Sequence, residues 1–394
     1  MPKWRCSRMK ILILSCNTGG GHNSAASAIK EYFDFKDIFC EIQDALAFDS
    51  KLKSEFVSKS NMLLYKKVPK LFGASYRFLE NHHSKSGNES LIYSFIKRGT
   101  EKLYNYLNEN KFDAVICTHV FAGMMMTELR KQYNTSVHCY FVATDYASYP
   151  GIEEVEMDTY FIAHKNLIPD YINYGVSEEK LIPTGIPIKR AFYKALSKER
   201  AREFLGFSQD KKVILLMGGS LGCGPIYKFG KQLLQSMPED AKLVVICGSN
   251  EKLVKKFESL SSDKNLRVVG FTNKMNIYMD ACDVVITKPG GLSSTESSTK
   301  LLPMILMGDS IGCETRNLDF FLSNEFAVSS ETLDGLVDET INLLADDEKI
   351  EKIKSLLRES FSFYSAGMIG DHVISDIDDG FETESSFARA DVNF

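Results

Sequence analysis

No apolar run in the sequence approaches the roughly 20 residues that a helix needs to cross a bilayer, which excludes a helical transmembrane protein. The apolar stretch behind the basic opening, residues 11–15, is too short for a signal-peptide core and runs straight into glycines. The eight residues ahead of Met9 read as an extension before a second candidate start. Nine cysteines form no CxxC pair, and their odd, scattered placement reads as reduced core thiols in a cytoplasmic protein. Neither they nor the seven histidines show zinc-ligand spacing. Positive charge is short as well: 47 Lys and Arg against 52 Asp and Glu leave a net charge of −5, which argues against a dedicated nucleic-acid binder. There is no GK[ST] sequence, and Ser24 stands where a dinucleotide fingerprint needs its third glycine.

What is present is an ordinary globular mix of 394 residues, 44% apolar and 25% charged. Short, continuously apolar runs alternate with longer helical stretches, as expected for strands covered on both faces. In the first half they are 10–15, 114–118, 137–144, 159–164 and 181–184; in the second, 212–217, 242–247, 267–270, 283–287 and 303–307. The alternation predicts an α/β protein with parallel sheets. Two Rossmann-like sheets fit better than one, because a charged helical stretch at 196–205 separates two series that each begin with a strand ending in glycines. The expected organisation is a first domain over 1–190, a second over 191–370, and an acidic, mobile tail over 371–394. A helix at 346–360 is expected to return towards the first domain.

A long insertion interrupts the first domain. Residues 51–110 show amphipathic helical pattern and no strand, and eleven Lys or Arg against five Asp or Glu give them a local charge of +6, leaving −11 elsewhere. Aromatic and apolar residues (Phe56, Leu63, Leu64, Tyr65, Phe72, Tyr76) interleave with the cations. Such a segment suits an anionic membrane surface; it equally suits a helical pair packed on its own domain with solvated lysines.

Three glycine clusters follow strands. Gly19-Gly20-Gly21-His22 leads from the first strand into a helix, which puts His22 at a helix N-terminus on the carboxyl edge of a sheet, where ligands bind in open α/β folds. Gly218-Gly219-Ser220-Leu221-Gly222 and Lys288-Pro289-Gly290-Gly291-Leu292-Ser293 repeat the device in the second domain, with helix-start amides free to cradle a diphosphate. Ser293 and Glu296 also have capping-box spacing, which would make Glu296 a helix cap.

These residues carry a resemblance. Gly270-Phe271-Thr272, Met275, Met279, Cys282-Asp283, the Thr287–Ser293 run, Glu296 and Leu302-Pro303-Met304-Ile305 resemble the donor half of inverting glycosyltransferases. The glycine-histidine block narrows this to the family of monogalactosyldiacylglycerol synthases and processive diacylglycerol glucosyltransferases, relatives of the peptidoglycan N-acetylglucosaminyltransferase. The resemblance covers most of residues 10–330. It implies the GT-B fold, with two Rossmann-like domains facing across a cleft, sugar nucleotide on the second and lipid acceptor on the first. It further implies that Glu296 binds the ribose hydroxyls, that Gly248, Asn250, Phe271, Thr272 and Met275 form the uracil pocket, and that Gly219, Ser220 and Gly222 line the phosphates. Glu314 and Asn317 match the sugar-reading segment, whereas Cys313 stands where the family has an amide, and a thiol is a poor substitute for it. After Asp145 the family's histidine and tryptophan are replaced by Tyr146-Ala147-Ser148-Tyr149-Pro150.

Hexose transfer needs a stabilised leaving diphosphate and a deprotonated acceptor hydroxyl. The single DxD sequence, Asp376-Ile377-Asp378, lies in the acidic tail, so no metal or other cofactor is expected; the Gly290, Gly291, Leu292 and Ser293 amides and the helix dipole take that role, with Lys288 a further UDP-sugar-binding candidate. His22 is the first candidate base, with a loop-bracing histidine as the alternative; Asp145, at another strand end, and His119 are further candidates, and Gly19, Gly20 and Gly21 shape the acceptor side. The expected function is transfer of glucose or galactose from a UDP-sugar to diacylglycerol by a cytoplasmic enzyme peripheral on the inner face of the cell membrane. A 2-epimerase or transferase using UDP-N-acetylglucosamine and a non-catalytic UDP-sugar sensor are the competing readings.

Overall fold

The computed structural model describes residues 9–17, 20–50, 91–149, 151–219, 222, 224–260, 264–308, 312–361 and 363–390, with side chains throughout except at 91–97 and 379–390. Expectations that fall on residues 1–8, Gly19, 51–90, Ser220 and 391–394 lie outside the described residues. The chain divides into two compact units, one of Met1–Thr144, Ser148–Lys189 and Phe363–Phe394, the other of Asp145–Ala147 and Arg190–Ser362.

The first unit contains β1 (Lys10–Ser15), β2 (Phe39–Asp44), β3 (Ala114–Cys117), β4 (His138–Val142), β5 (Thr159–Ile162) and β6 (Leu181–Pro183). They form one parallel sheet in the order β2-β1-β3-β4-β5-β6, with Ile13 of β1 in register with Ile42 on one side and Ile116 on the other. Helices α1 (Gly20–Phe35), α2 (Leu91–Asn110), α3 (Val120–Gln132) and α4 (Ile168–Asn173) connect them. Ile11, Leu12, Ile13 and Leu14 are fully buried, as a two-sided cover of β1 requires.

The second unit contains β7 (Lys212–Met217), β8 (Ala241–Ile246), β9 (Leu266–Val269), β10 (Val284–Thr287), β11 (Met304–Met307) and β12 (Ala327–Ser330) in the order β12-β11-β10-β7-β8-β9, again all parallel. Its helices are α5 (Lys198–Leu205), α6 (Ile226–Ser236), α7 (Glu251–Glu258), α8 (Met275–Ala281), α9 (Gly291–Thr299), α10 (Cys313–Ser323), α11 (Leu333–Ala345) and α12 (Asp347–Phe361). A buried ion pair, Lys300 with Asp280 at 2.8 Å, ties the start of this unit to α8, since Asp280 also accepts from the Leu196 amide and Lys300 donates to the Lys194 carbonyl.

Three expectations are corrected. Strands β2 and β12 are additional: both are sheet edges, and their half-exposed residues break the continuous apolar run that marks the inner strands. The helix expected to return to the first domain, residues 346–360, is α12 and belongs to the second unit. The returning helix is α13 (Ser365–Ala390), which occupies the stretch expected to be a mobile tail. Its Ile369, Val373, Ile374 and Ile377 are buried in one cluster with Ile29, Tyr32 and Phe33 of α1 and Ile11 and Ile13 of β1. Each such side chain stabilises by about 1.5–3 kcal/mol on burial, which outweighs the acidity that suggested a loose tail. Tyr32 also donates to Asp371, and Tyr140 to Asp376 at 2.9 Å, so the DxD sequence is part of a packed helix.

In the last turns of α2 the apolar side chains are likewise covered by protein: Leu103 and Leu107 are buried, and Tyr104 stacks on Tyr133 with ring centroids 4.2 Å apart. The membrane reading of the insertion therefore does not extend to its last turns. Among the described residues no helix is long and apolar enough to cross a membrane.

A Cβ at Gly370 would overlap the buried Tyr32 ring. Gly370→Ala should therefore destabilise the first unit by about 1–3 kcal/mol, as overpacking does, read as a lower urea midpoint; an unchanged midpoint would show that α13 is not packed on α1.

Candidate active site

In the first sheet the connection leaving β1 runs to β2 on one side, and the connection leaving β3 runs to β4 on the other. Their divergence opens a crevice at the carboxyl ends of β1 and β3, the position at which open α/β sheets take ligands. His22, the third residue of α1, is placed there, with Gly20 and Gly21 forming the start of the helix. Its Nδ1 lies 2.9 Å from the Thr118 carbonyl and 2.8 Å from the Thr144 hydroxyl. A carbonyl only accepts, so Nδ1 carries the proton and Nε2 keeps its lone pair. Burial lowers the imidazole from its usual range to about 4, against a smaller opposing contribution from the Thr118 carbonyl. The ring is thus neutral at physiological pH and able to take a proton at Nε2.

His119 has the opposite tautomer. Its Nδ1 accepts the Phe121 amide at 3.1 Å and caps α3, which leaves the proton on Nε2. Its ring stands edge-on to His22 with centroids 4.5 Å apart, and burial with the neighbouring imidazole holds its pKa well below the usual value. Capping therefore removes His119 from the candidates for the base.

In the second unit the same divergence falls between β7 and β10, and both glycine turns flank it. Gly219 and Gly222 have φ of +69° and +55°, and a Cβ on Gly222 would strike the Cys247 carbonyl. The Lys288 side chain lies beside Gly224, and its Nζ is 3.7 Å from Glu314 at the start of α10. The N-cap of α9 is Gly290, in extended conformation and with no side-chain cap. Its ladder begins with the Ser294 amide on the Gly290 carbonyl at 3.0 Å, so the Gly291, Leu292 and Ser293 amides precede it, as a diphosphate cradle requires. Two expectations change. The Gly290 amide is engaged by the Lys288 carbonyl at 2.8 Å and is not one of the open donors. Ser293 sits inside the helix, so no capping box exists and Glu296 is half-buried on the first turns of α9 without that role.

The residues expected around the base lie at the ends of β8 and β9. Gly248 turns at φ +57°, Phe271 is 77% exposed, Thr272 accepts the Lys274 amide at 3.1 Å, and Met275 opens α8. Asn250 caps α7 through the Leu253 amide and donates to the Gly222 carbonyl, both at 3.1 Å, so its amide group braces the Gly222 turn.

Asn317 departs from expectation most clearly. It is fully buried; its Nδ2 donates to Asp145 Oδ1 at 2.8 Å and to the Pro289 carbonyl at 2.9 Å, and its Oδ1 accepts the Tyr146 amide at 2.6 Å. A side chain so placed fixes the Asp145 carboxylate and the Lys288–Gly291 turn and does not read a sugar. Tyr146, missed from the sequence, donates to Thr295 at 2.6 Å and packs among Phe320, Phe321 and Phe361. Asp145 itself is half-buried and held by Asn317. Cys313 and Glu314 form the first turn of α10 behind Gly312, which needs its φ of +66°. Among the described residues no group of three His, Cys, Asp or Glu side chains could hold a metal ion.

Comparison with known proteins assigns both units. Residues 22–188 match the family model for monogalactosyldiacylglycerol (MGDG) synthase, and 213–313 that for the glycosyltransferase family 28 C-terminal domain. A processive diacylglycerol beta-glucosyltransferase from Bacillus licheniformis is 27% identical over 358 residues, 88% of this chain and 90% of its own. Among solved structures, MurG of Acinetobacter baumannii aligns with a TM-score of 0.60 at 14% identity, over 93% of this chain and 100% of its own. A UDP-GlcNAc 2-epimerase from Neisseria meningitidis bound to UDP-GlcNAc aligns at 0.59 and 14%, over 94% and 99%. At such identities these two show the fold alone, which is GT-B. Together with the matches to each unit, the chain carries an MGDG synthase domain followed by a glycosyltransferase family 28 C-terminal domain, and the curated relatives it resembles are processive diacylglycerol beta-glucosyltransferases.

Proposed function

We propose that the protein transfers a hexose from a UDP-sugar to diacylglycerol with inversion at the anomeric carbon, making a membrane glycolipid. The observation that carries the reading is the pairing, in one chain, of an MGDG synthase match over the unit that holds His22 with a family 28 match over the unit that holds α9. His22 Nε2 takes the proton of the acceptor hydroxyl as its oxygen bonds to the anomeric carbon and the bond to UDP breaks. The charge left on the diphosphate is balanced by the Gly291, Leu292 and Ser293 amides, the α9 dipole and Lys288. Those groups supply the compensation a metal would otherwise give, so we take the reaction as metal-independent. Phe271 offers a face on which uracil can stack, and Glu296 two oxygens for the ribose diol.

The enzyme acts as a peripheral protein on the cytoplasmic face of the cell membrane in this reading. Residues 51–90 hold eight Lys or Arg against three Asp or Glu, the charge an anionic leaflet attracts.

Incubation with UDP-glucose or UDP-galactose, diacylglycerol and anionic vesicles, in the presence of EDTA, should give glycolipid and UDP by mass spectrometry, with vesicle binding that fades as salt rises. An isomerised sugar nucleotide would instead mark an epimerase, and UDP binding without turnover a sensor. His22→Ala should lower kcat by about 10²–10⁴-fold while UDP affinity is retained. Because the lowered pKa of His22 keeps it neutral, kcat/KM should stay level from pH 8 to about pH 5 and fall only towards pH 4; a half-point near 6.5 would contradict the buried base. Glu296→Ala should weaken UDP binding. Asn317→Ala should destabilise the second unit by about 1–3 kcal/mol and leave the glucose-to-galactose preference untouched; an altered preference would return Asn317 to the sugar.

A further inference from the structure

Among the described residues no carboxylate is hydrogen-bonded to His22 Nδ1. In hydrolytic triads a buried aspartate holds the imidazole tautomer and stabilises the cation formed when the ring takes a proton. Here two neutral oxygens face Nδ1, the Thr118 carbonyl at 2.9 Å and Thr144 Oγ1 at 2.8 Å. The carbonyl is fixed by the end of β3. A hydroxyl rotates, and acts as an acceptor towards Nδ1–H only when its own proton is held elsewhere.

Tyr149 supplies that hold. Its hydroxyl oxygen accepts the Thr144 backbone amide at 2.9 Å and lies 2.8 Å from Thr144 Oγ1. Both residues are buried. With Nδ1–H directed at Thr144 Oγ1, the threonine proton turns to the phenol oxygen. Thr144 then grips that one oxygen with its amide and its hydroxyl protons, and the lone pairs of Oγ1 are aimed at His22. We propose that Thr144 and Tyr149 are positioning residues for the transfer reaction, a neutral pair that takes the place of a carboxylate behind His22. The proposal rests on the reading of His22 as the base.

The step itself balances within these groups. The acceptor hydroxyl gives its proton to Nε2, its oxygen bonds to the anomeric carbon, and the electron pair of the broken bond leaves with UDP. The imidazolium that results donates Nδ1–H to Thr118 and Thr144, and no proton passes along the Tyr149 hydroxyl. Neutral acceptors stabilise that cation less than a carboxylate would, so the ring releases its proton readily once the product has formed.

Three variants test this: Thr144→Val, which keeps the shape and removes Oγ1; Thr144→Ser, which restores it; and Tyr149→Phe. Thr144→Val should lower kcat about ten- to a hundredfold, the range of a hydrogen bond to a charged group. KM for the UDP-sugar should not change, and Thr144→Ser should recover most of the loss. Tyr149→Phe should fall between. In histidine ¹⁵N spectra of the wild-type protein, His22 should show a protonated Nδ1 and an unprotonated Nε2 at pH 7. A Thr144→Val enzyme with unchanged kcat, a loss that serine does not rescue, or a wild-type His22 protonated on Nε2 would each overturn the proposal. Turnover that survives His22→Ala would overturn the base assignment itself, whereas a dead His22→Ala enzyme beside an active Thr144→Val enzyme would sink the pair alone.

Discussion

Parallel strands send all their carboxyl ends to one edge of a sheet, and a chain that starts near the middle must leave that edge in two directions. Everything chemical in this protein follows from that constraint. In each unit the first strand, β1 or β7, lies inside the sheet, so a gap opens beside it without any residue having to be removed from the core. Glycine is needed where the backbone crosses the lip of that gap, as the crowding of Gly222 against Cys247 illustrates. The same gap admits an imidazole in one unit and a bare helix terminus in the other.

The two units use electrostatics differently. The terminus of α9 offers amides whose partial charges are fixed by the helix and need no titratable partner. The crevice beside β1 withdraws charge instead: burial keeps His22 and His119 neutral, and their Nδ1 partners, a carbonyl for one and an amide for the other, set opposite tautomers in rings that touch. The sequence sets His22 apart by the three glycines before it, but the tautomer of each ring is set only by the backbone groups that meet it.

Legibility followed burial. Inner strands such as residues 212–217 and 283–287 are uninterrupted apolar runs and were readable, whereas Phe39-Cys40-Glu41-Ile42-Gln43-Asp44 mixes charge into an edge strand and was not. At the start of α9 the spacing of Ser293 and Glu296 imitates a capping box, whereas the glycine pair at Gly290-Gly291 sets the boundary. The last helix was hidden by its acidic composition; Ile369, Val373 and Ile377, spaced by four, were the signal. His22 and the glycine turns were legible because their chemistry is local to one segment. Asn317, Thr144 and Tyr149 were not, because each acts on residues that only the fold brings near.

The first unit is closed by a helix encoded after the whole of the second. On the ribosome the β1 and α1 surfaces destined for Ile369, Val373 and Ile374 must therefore stay uncovered while roughly 170 further residues emerge, some ten to thirty seconds at ordinary elongation rates. The domain made first is completed last. That delay leaves an apolar stripe open to chaperones.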